Sequence, residues 1–125
     1  MKYALLIHSD QAAWADIDDD EKARLRAETM PKWLELFEEL GKADPNVSGT
    51  ELDEGVTAKV VRVVDGERVV TDGPFAETKE ALGGVFLVDL PGHAEAIRLA
   101  ALIPTAAYGS IEIRPLAGQT AEVAS

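Results

Sequence analysis

The chain has 125 residues, 46% of them apolar and 28% charged, with 12 basic and 23 acidic side chains and a formal charge of −11. That balance fits one soluble domain able to bury about two-thirds of its unfolded surface, and it argues against nucleic acid or an anionic membrane as partner, since both require clustered Lys and Arg. Cysteine is absent and the only histidines, His8 and His93, have no zinc-ligand spacing, so disulfides and thiolate chemistry are excluded and neither metal nor cofactor is expected.

Tyr3 to His8 is an apolar run of strand length, continuous enough to predict a central strand buried on both faces. The residues before it are too few for a signal sequence, and no apolar run reaches bilayer length, so the expected compartment is cytoplasm. Gln11 to Ile17 reads as a connection, with Trp14 lying over an edge of the core. Asp18-Asp19-Asp20-Glu21 opens a helix, because these acids cap free N–H groups and favour the positive end of the helix dipole. Leu25, Thr29, Trp33, Leu36, Phe37 and Leu40 recur at three and four residues and form one apolar stripe. Pro31 interrupts it, which predicts two segments, 19–30 and 31–40, with Gly41 as a left-handed cap.

Val47 to Leu52 reads as a short strand. Thr57 to Val64 and Glu67 to Thr71 read as a hairpin around Asp65-Gly66, a turn signal of the I′ type. Asp72-Gly73-Pro74-Phe75-Ala76-Glu77-Thr78-Lys79-Glu80 follows as a polar loop. Its Gly-Pro pair ends strand pairing, and Phe75 is its one large apolar residue. Gly83-Gly84 then opens a buried strand ending at Leu90, the missing side chains admitting either another backbone or a small ligand. His93 to Ile103 forms a second helix, with Ala94, Ile97 and Ala101 on one side, Leu99 and Leu102 nearby, and Pro104 ending it. Tyr108 to Leu116 is the last strand, alternating Ile111 and Ile113 against Glu112 and Arg114, and residues 117–125 form a loose tail beyond a domain of residues 1–116.

Strand–helix–strand occurs twice, which predicts an α+β fold: a ferredoxin-like βαββαβ sheet with both helices on one face and the 57–71 hairpin added between the halves. A sheet covered on one face only needs a second cover. The same face of another copy supplies it, so a homodimer is expected.

The string TDGPFAETKEALGGVFLVD (Thr71 to Asp89) resembles the DGPF branch of the YCII-related proteins. KYALLIHSD and IPTAAYGSIEIRPL resemble that family's first and last strands, so the likeness spans nearly all of residues 1–116. The resemblance implies a ferredoxin-like fold and dimers in which two sheets face each other, the dimeric α/β barrel arrangement. The other branch of the family carries a proposed His–Asp catalytic pair, its histidine in a Pro-x-His-Leu-like stretch. Here the matching stretch is Pro31-Lys32-Trp33-Leu34. Trp33 stands in the histidine's place, and an indole cannot shuttle a proton, so that pair does not transfer. Genes of the DGPF branch often lie beside those of extracytoplasmic-function sigma factors, which implies regulation or stress response.

Asp72 is the leading candidate for acid/base or ligand-binding chemistry, with an Asx-type turn as the alternative role. His8 is a weaker catalytic candidate; the alternative is a strand-end histidine hydrogen-bonded into the fold. Trp33, Phe75, Glu77 and Lys79 are the candidate ligand-binding residues, set against core packing for Trp33 and a solvated ion pair for Glu77 and Lys79. The functional expectation is a homodimer binding a small organic molecule in a cleft between helix and sheet, with cofactor-free acid/base chemistry as its enzymatic version. The alternative is a regulatory module whose loop docks a protein partner such as a sigma factor.

Overall fold

The computed structural model describes residues 1–73 and 80–119. β1 (Lys2–Ser9) leads into α1 (Gln11–Ala15), α2 (Asp19–Ala43) and β2 (Ser48–Glu51). A single 3-10 turn (Gly55–Thr57) precedes β3 (Lys59–Val64) and β4 (Glu67–Asp72). β5 (Ala81–Asp89), α3 (His93–Leu102), a second 3-10 segment (Pro104–Ala107) and β6 (Ser110–Pro115) follow. β2, β5, β1 and β6 form one sheet in that order, each neighbouring pair antiparallel, while among the described residues β3 and β4 pair only with each other. The order is compatible with the predicted ferredoxin-like plan, and the two-stranded hairpin is the predicted addition between its halves.

Strand alternation divides the main sheet into two faces. Tyr3, Leu5 and Ile7 point to one side, where their cross-strand partners include Phe86, Val88, Ile111 and Ile113. α2 and α3 cover this side with Leu36, Leu40, Ala96 and Leu99, and Ile103 closes the cluster. Six of the core side chains, Tyr3, Leu5, Leu36, Leu40, Leu99 and Ile103, are fully buried. Burying each of the aliphatic ones is worth about 1.5–3 kcal/mol. The core thus lies on one side of β1, although β1 is the central strand that its apolar run predicts.

Several local expectations need correction. α2 is one continuous helix of 25 residues and not two segments. Pro31 lies opposite the buried Leu36–Leu40 stripe, so the carbonyl it leaves unpaired, on exposed Ala27, is on the solvent side. Gly41 is inside the helix. The end comes at Asp44, whose N–H donates to the Leu40 carbonyl at 2.9 Å and whose carboxylate accepts from the N–H groups of Asn46 and Asp89, both at 2.9 Å. Those two backbone bonds hold the Asp44 carboxyl below the usual aspartate range and tie the end of α2 to the end of β5. The connection at Gln11 contains the short helix α1, capped by Asp10, which accepts from the Ala13 N–H at 3.0 Å. Trp14 is only partly buried, its ring facing the cations of Lys22 and Arg26. In α3 the buried residues are Ala96, Leu99 and Ala100, whereas Ala94, Ile97 and Ala101 are exposed.

Other expectations hold. Asp18 caps α2, accepting the Glu21 N–H at 2.8 Å. Asp65 and Gly66 both take positive φ, 51° and 78°, as a type I′ turn requires. The Gly83-Gly84 pair serves backbone approach: a Cβ on Gly84 would sit 3.1 Å from the Thr50 carbonyl of β2, and the β1–β5 register shifts here, pairing Ile7 with Gly84 but His8 with Leu82. At the end of the described chain, Gln119 Nε2 donates to the carbonyls of Lys2 and Leu116, at 2.8 and 2.7 Å.

Candidate functional site

The sheet face away from the helices carries Ala4, Leu6 and His8 from β1, Val85 and Leu87 from β5, and Glu112 and Arg114 from β6. Ala4 is buried, Leu6, His8, Val85 and Glu112 are half-buried, and Leu87 is 44% exposed. Among the described residues no helix covers this side. His8 and Glu112 meet on it because β1 and β6 are neighbours in antiparallel register. Glu112 stands opposite Leu6, one diagonal step from His8.

His8 Nε2 lies 3.2 Å from Glu112 Oε1, and Arg114 Nε donates to Glu112 Oε2 at 2.6 Å. The Arg114 bond first, and the His8 bond second, hold the Glu112 carboxyl below the usual glutamate range. An ionised carboxylate only accepts, so its partner nitrogen must carry the hydrogen. In the neutral imidazole this makes Nδ1 the basic atom. The cross-strand neighbours of His8 are Leu82 and Ser110, and Ser110 Oγ donates to Glu80 Oε2 at 2.7 Å. Glu80 is the last residue of the DGPFAETKE string, so one end of that string lies beside the histidine.

Of the predicted site residues, the three that are described, Asp72, Trp33 and His8, do not share one cleft. Asp72 ends β4 opposite Lys59 and forms an ion pair with it; the Asp72 side chain is 83% exposed and the Lys59 side chain 67%. Trp33 lies on the helix-covered side, packed against the core with its ring 6.0 Å from that of Phe37. His8 is on the opposite face of the sheet. Phe75, Glu77 and Lys79 fall outside the described residues. Glu112 was not singled out from the sequence. Its signal was the alternation with Ile111 and Ile113, which assigns it to the opposite face from theirs.

Two open grooves flank the helices. One of about 210 Å³ lies between α2 and the sheet edge, lined by Phe37, Leu40, Val47, Ser48, Gly49 and Phe86. A larger one, about 490 Å³, runs between α2 and the Ala101–Ala107 region, with Lys32 and Glu35 beside Leu36, Leu102 and Ile103. Neither is lined by Asp72, Trp33 or His8. Among the described residues no group of three His, Cys, Asp or Glu side chains is placed to hold a metal ion, and no helix is long and apolar enough to cross a membrane.

A mixed α/β domain with an antiparallel sheet, helices on one face and a histidine bonded to a carboxylate on the other is the class that the fold and site define. The chain belongs to the YCII-related family, whose model matches residues 1–118. It is also similar to an uncharacterised protein of Rhizobium meliloti (strain 1021), 36% identical over 122 residues that span 94% of this chain and 93% of the relative.

Proposed function

We propose that the protein is a homodimer that binds a small organic molecule between two facing sheets, the dimeric α/β barrel arrangement, with His8 and Glu112 handling a proton there. The observation that carries this reading is the second sheet face. It combines an apolar centre of Ala4, Leu6, Val85 and Leu87 with one oriented histidine at its margin. A face of this kind is poorly satisfied by water alone, and a second copy of itself is the self-complementary cover. The closed space would be mostly apolar with few convergent polar groups, the composition of small-molecule sites. Within it, the Glu112 carboxylate orients the imidazole through Nε2 and leaves Nδ1 to accept a proton, the division of labour in general-base catalysis. The substrates suited to this chemistry are small organic molecules with a weakly acidic proton and an apolar body.

A thermal-shift screen of small organic acids, amides and phenols on wild type, His8→Gln and Glu112→Gln tests the reading. A compound that stabilises wild type and loses that effect in both variants supports it. Compounds that stabilise all three proteins equally would place the binding site elsewhere.

A further inference from the structure

β6 gives the open sheet face its charged border, and strand register sets what lies beside that border. Arg114 stands opposite Ala4, Ala4 opposite Leu87, and Leu87 opposite Ser48 of β2. The neighbouring row on the same face runs from Glu112 over Leu6 and Val85 to Thr50. Each row therefore passes from a charged side chain over two apolar ones to a hydroxyl. Two strand spacings, about 10 Å, separate Arg114 from Leu87, so the apolar strip is the length of a small organic body.

The guanidinium at the head of this strip is only partly used. Arg24 and Arg98 each engage carboxylates through Nε, Nη1 and Nη2 alike. Arg114 bonds Glu112 through Nε at 2.6 Å, and among the described residues no acceptor meets its Nη1 or Nη2. Acidic side chains outnumber basic ones by 23 to 12, so the open pair does not reflect a shortage of carboxylates in the chain. The Nε bond restrains the side chain and leaves the Nη1–Nη2 edge to take both oxygens of one carboxylate in parallel bonds, the recognition for which a guanidinium is suited. Glu112 holds His8 Nε2 on its other oxygen, so the open fork and the imidazole flank the same group.

We propose that the ligand of this face is a small monocarboxylate, its anion held by Nη1 and Nη2 of Arg114 and its apolar body lying over Ala4, Leu6, Val85 and Leu87. The inference rests on the binding function proposed for this face and adds the class of molecule bound, with Arg114 as the residue that selects it. Charge sets the limit of one anionic group. The strip is headed by one guanidinium, and Lys2, the next cation along the face, stands opposite Asp89. A dianion such as a phosphate monoester would bring a second negative charge to a chain already at −11, with no second fork to receive it.

Isothermal titration with phenylacetate, 3-phenylpropionate and hexanoate, each beside its own primary amide, tests it on wild type, Arg114→Gln, Arg114→Lys and His8→Gln. The Arg114 side chain is 68% exposed, so both of its variants keep the wild-type unfolding temperature without ligand. The expected result is that wild type binds at least one carboxylate about tenfold or more tighter than the matching amide. Arg114→Gln abolishes that preference and leaves amide affinity unchanged, while Arg114→Lys, which keeps the charge without the fork, falls between. Acid and amide bound alike by wild type, or an acid preference that survives Arg114→Gln, overturns the carboxylate site; if that binding is lost in His8→Gln, the binding function of the face stands. Binding that is unchanged in Arg114→Gln and His8→Gln alike overturns both, as does a wild type that binds none of the probes at millimolar concentration.

Discussion

The two faces of the main sheet are built from the same strands yet meet different surroundings. On one side Tyr3 and Leu5 are fully buried and Val88 is 2% exposed, beneath α2 and α3. On the other, one residue further along each strand, Leu6 and Val85 are half-buried and Leu87 is 44% exposed. A one-residue step along a strand exchanges these environments, since successive side chains point to opposite faces. The difference teaches that β-type sequence reports where a strand forms, not whether the chain itself supplies a cover for both of its sides. The helix-covered face carries the stability of the subunit. The other face is the one on which the proposed association and ligand chemistry would take place.

Substitutions on the covered side should therefore cost most. Leu36→Ala or Leu99→Ala removes a fully buried side chain and should lower unfolding free energy by about 2–5 kcal/mol in urea titrations. A loss under about 1 kcal/mol at both positions would break the contrast, because exposed sites typically change stability by that little or less. Gly49→Ala ranks next. Its Cβ would sit 2.4 Å from the Phe86 ring, a side chain able to shift, so a cost of about 1–3 kcal/mol is expected from the same titration. On the open face, Leu87→Glu should change unfolding of the isolated subunit by about 0.5 kcal/mol or less while abolishing self-association.

A smaller effect tests the joint between helix and sheet. Asp44→Asn should lower the unfolding temperature at pH 7, where the wild-type carboxylate accepts two backbone N–H groups. The native pKa is depressed, so this stabilisation is fully present above the unfolded aspartate value and is lost as pH falls through the native value. The gap between wild type and variant should therefore close on acidification, as followed by circular dichroism melts from pH 7 to pH 2. A gap that stays constant would mean that the carboxylate charge is irrelevant to the joint.

Much of this architecture was legible in the sequence, and the failures have physical causes. The Asp65-Gly66 turn, the Asp18 cap and the alternation of Ile111 and Ile113 are local signals that no tertiary contact overrode. Pro31 misled because its clash and lost donor were assigned to the helix as a whole, while the unpaired carbonyl is on the solvent side, where water can serve it. α3 misled in part. It carries two apolar stripes, and spacing named the exposed Ala94, Ile97 and Ala101 as well as the buried Leu99 without choosing the face that packs. The His8–Glu112 pair spans 104 residues, and only strand order and register bring it together. Asp72 drew attention through its neighbours in sequence. Its partner proved to be Lys59, across the hairpin at the ribbon's base.

The most direct test of the account is the solution mass of wild type and Leu87→Glu, measured side by side by light scattering. The account predicts twice 13.4 kDa for wild type and 13.4 kDa for the variant. Wild type at 13.4 kDa across the whole concentration range, or a variant that keeps the doubled mass, would contradict it.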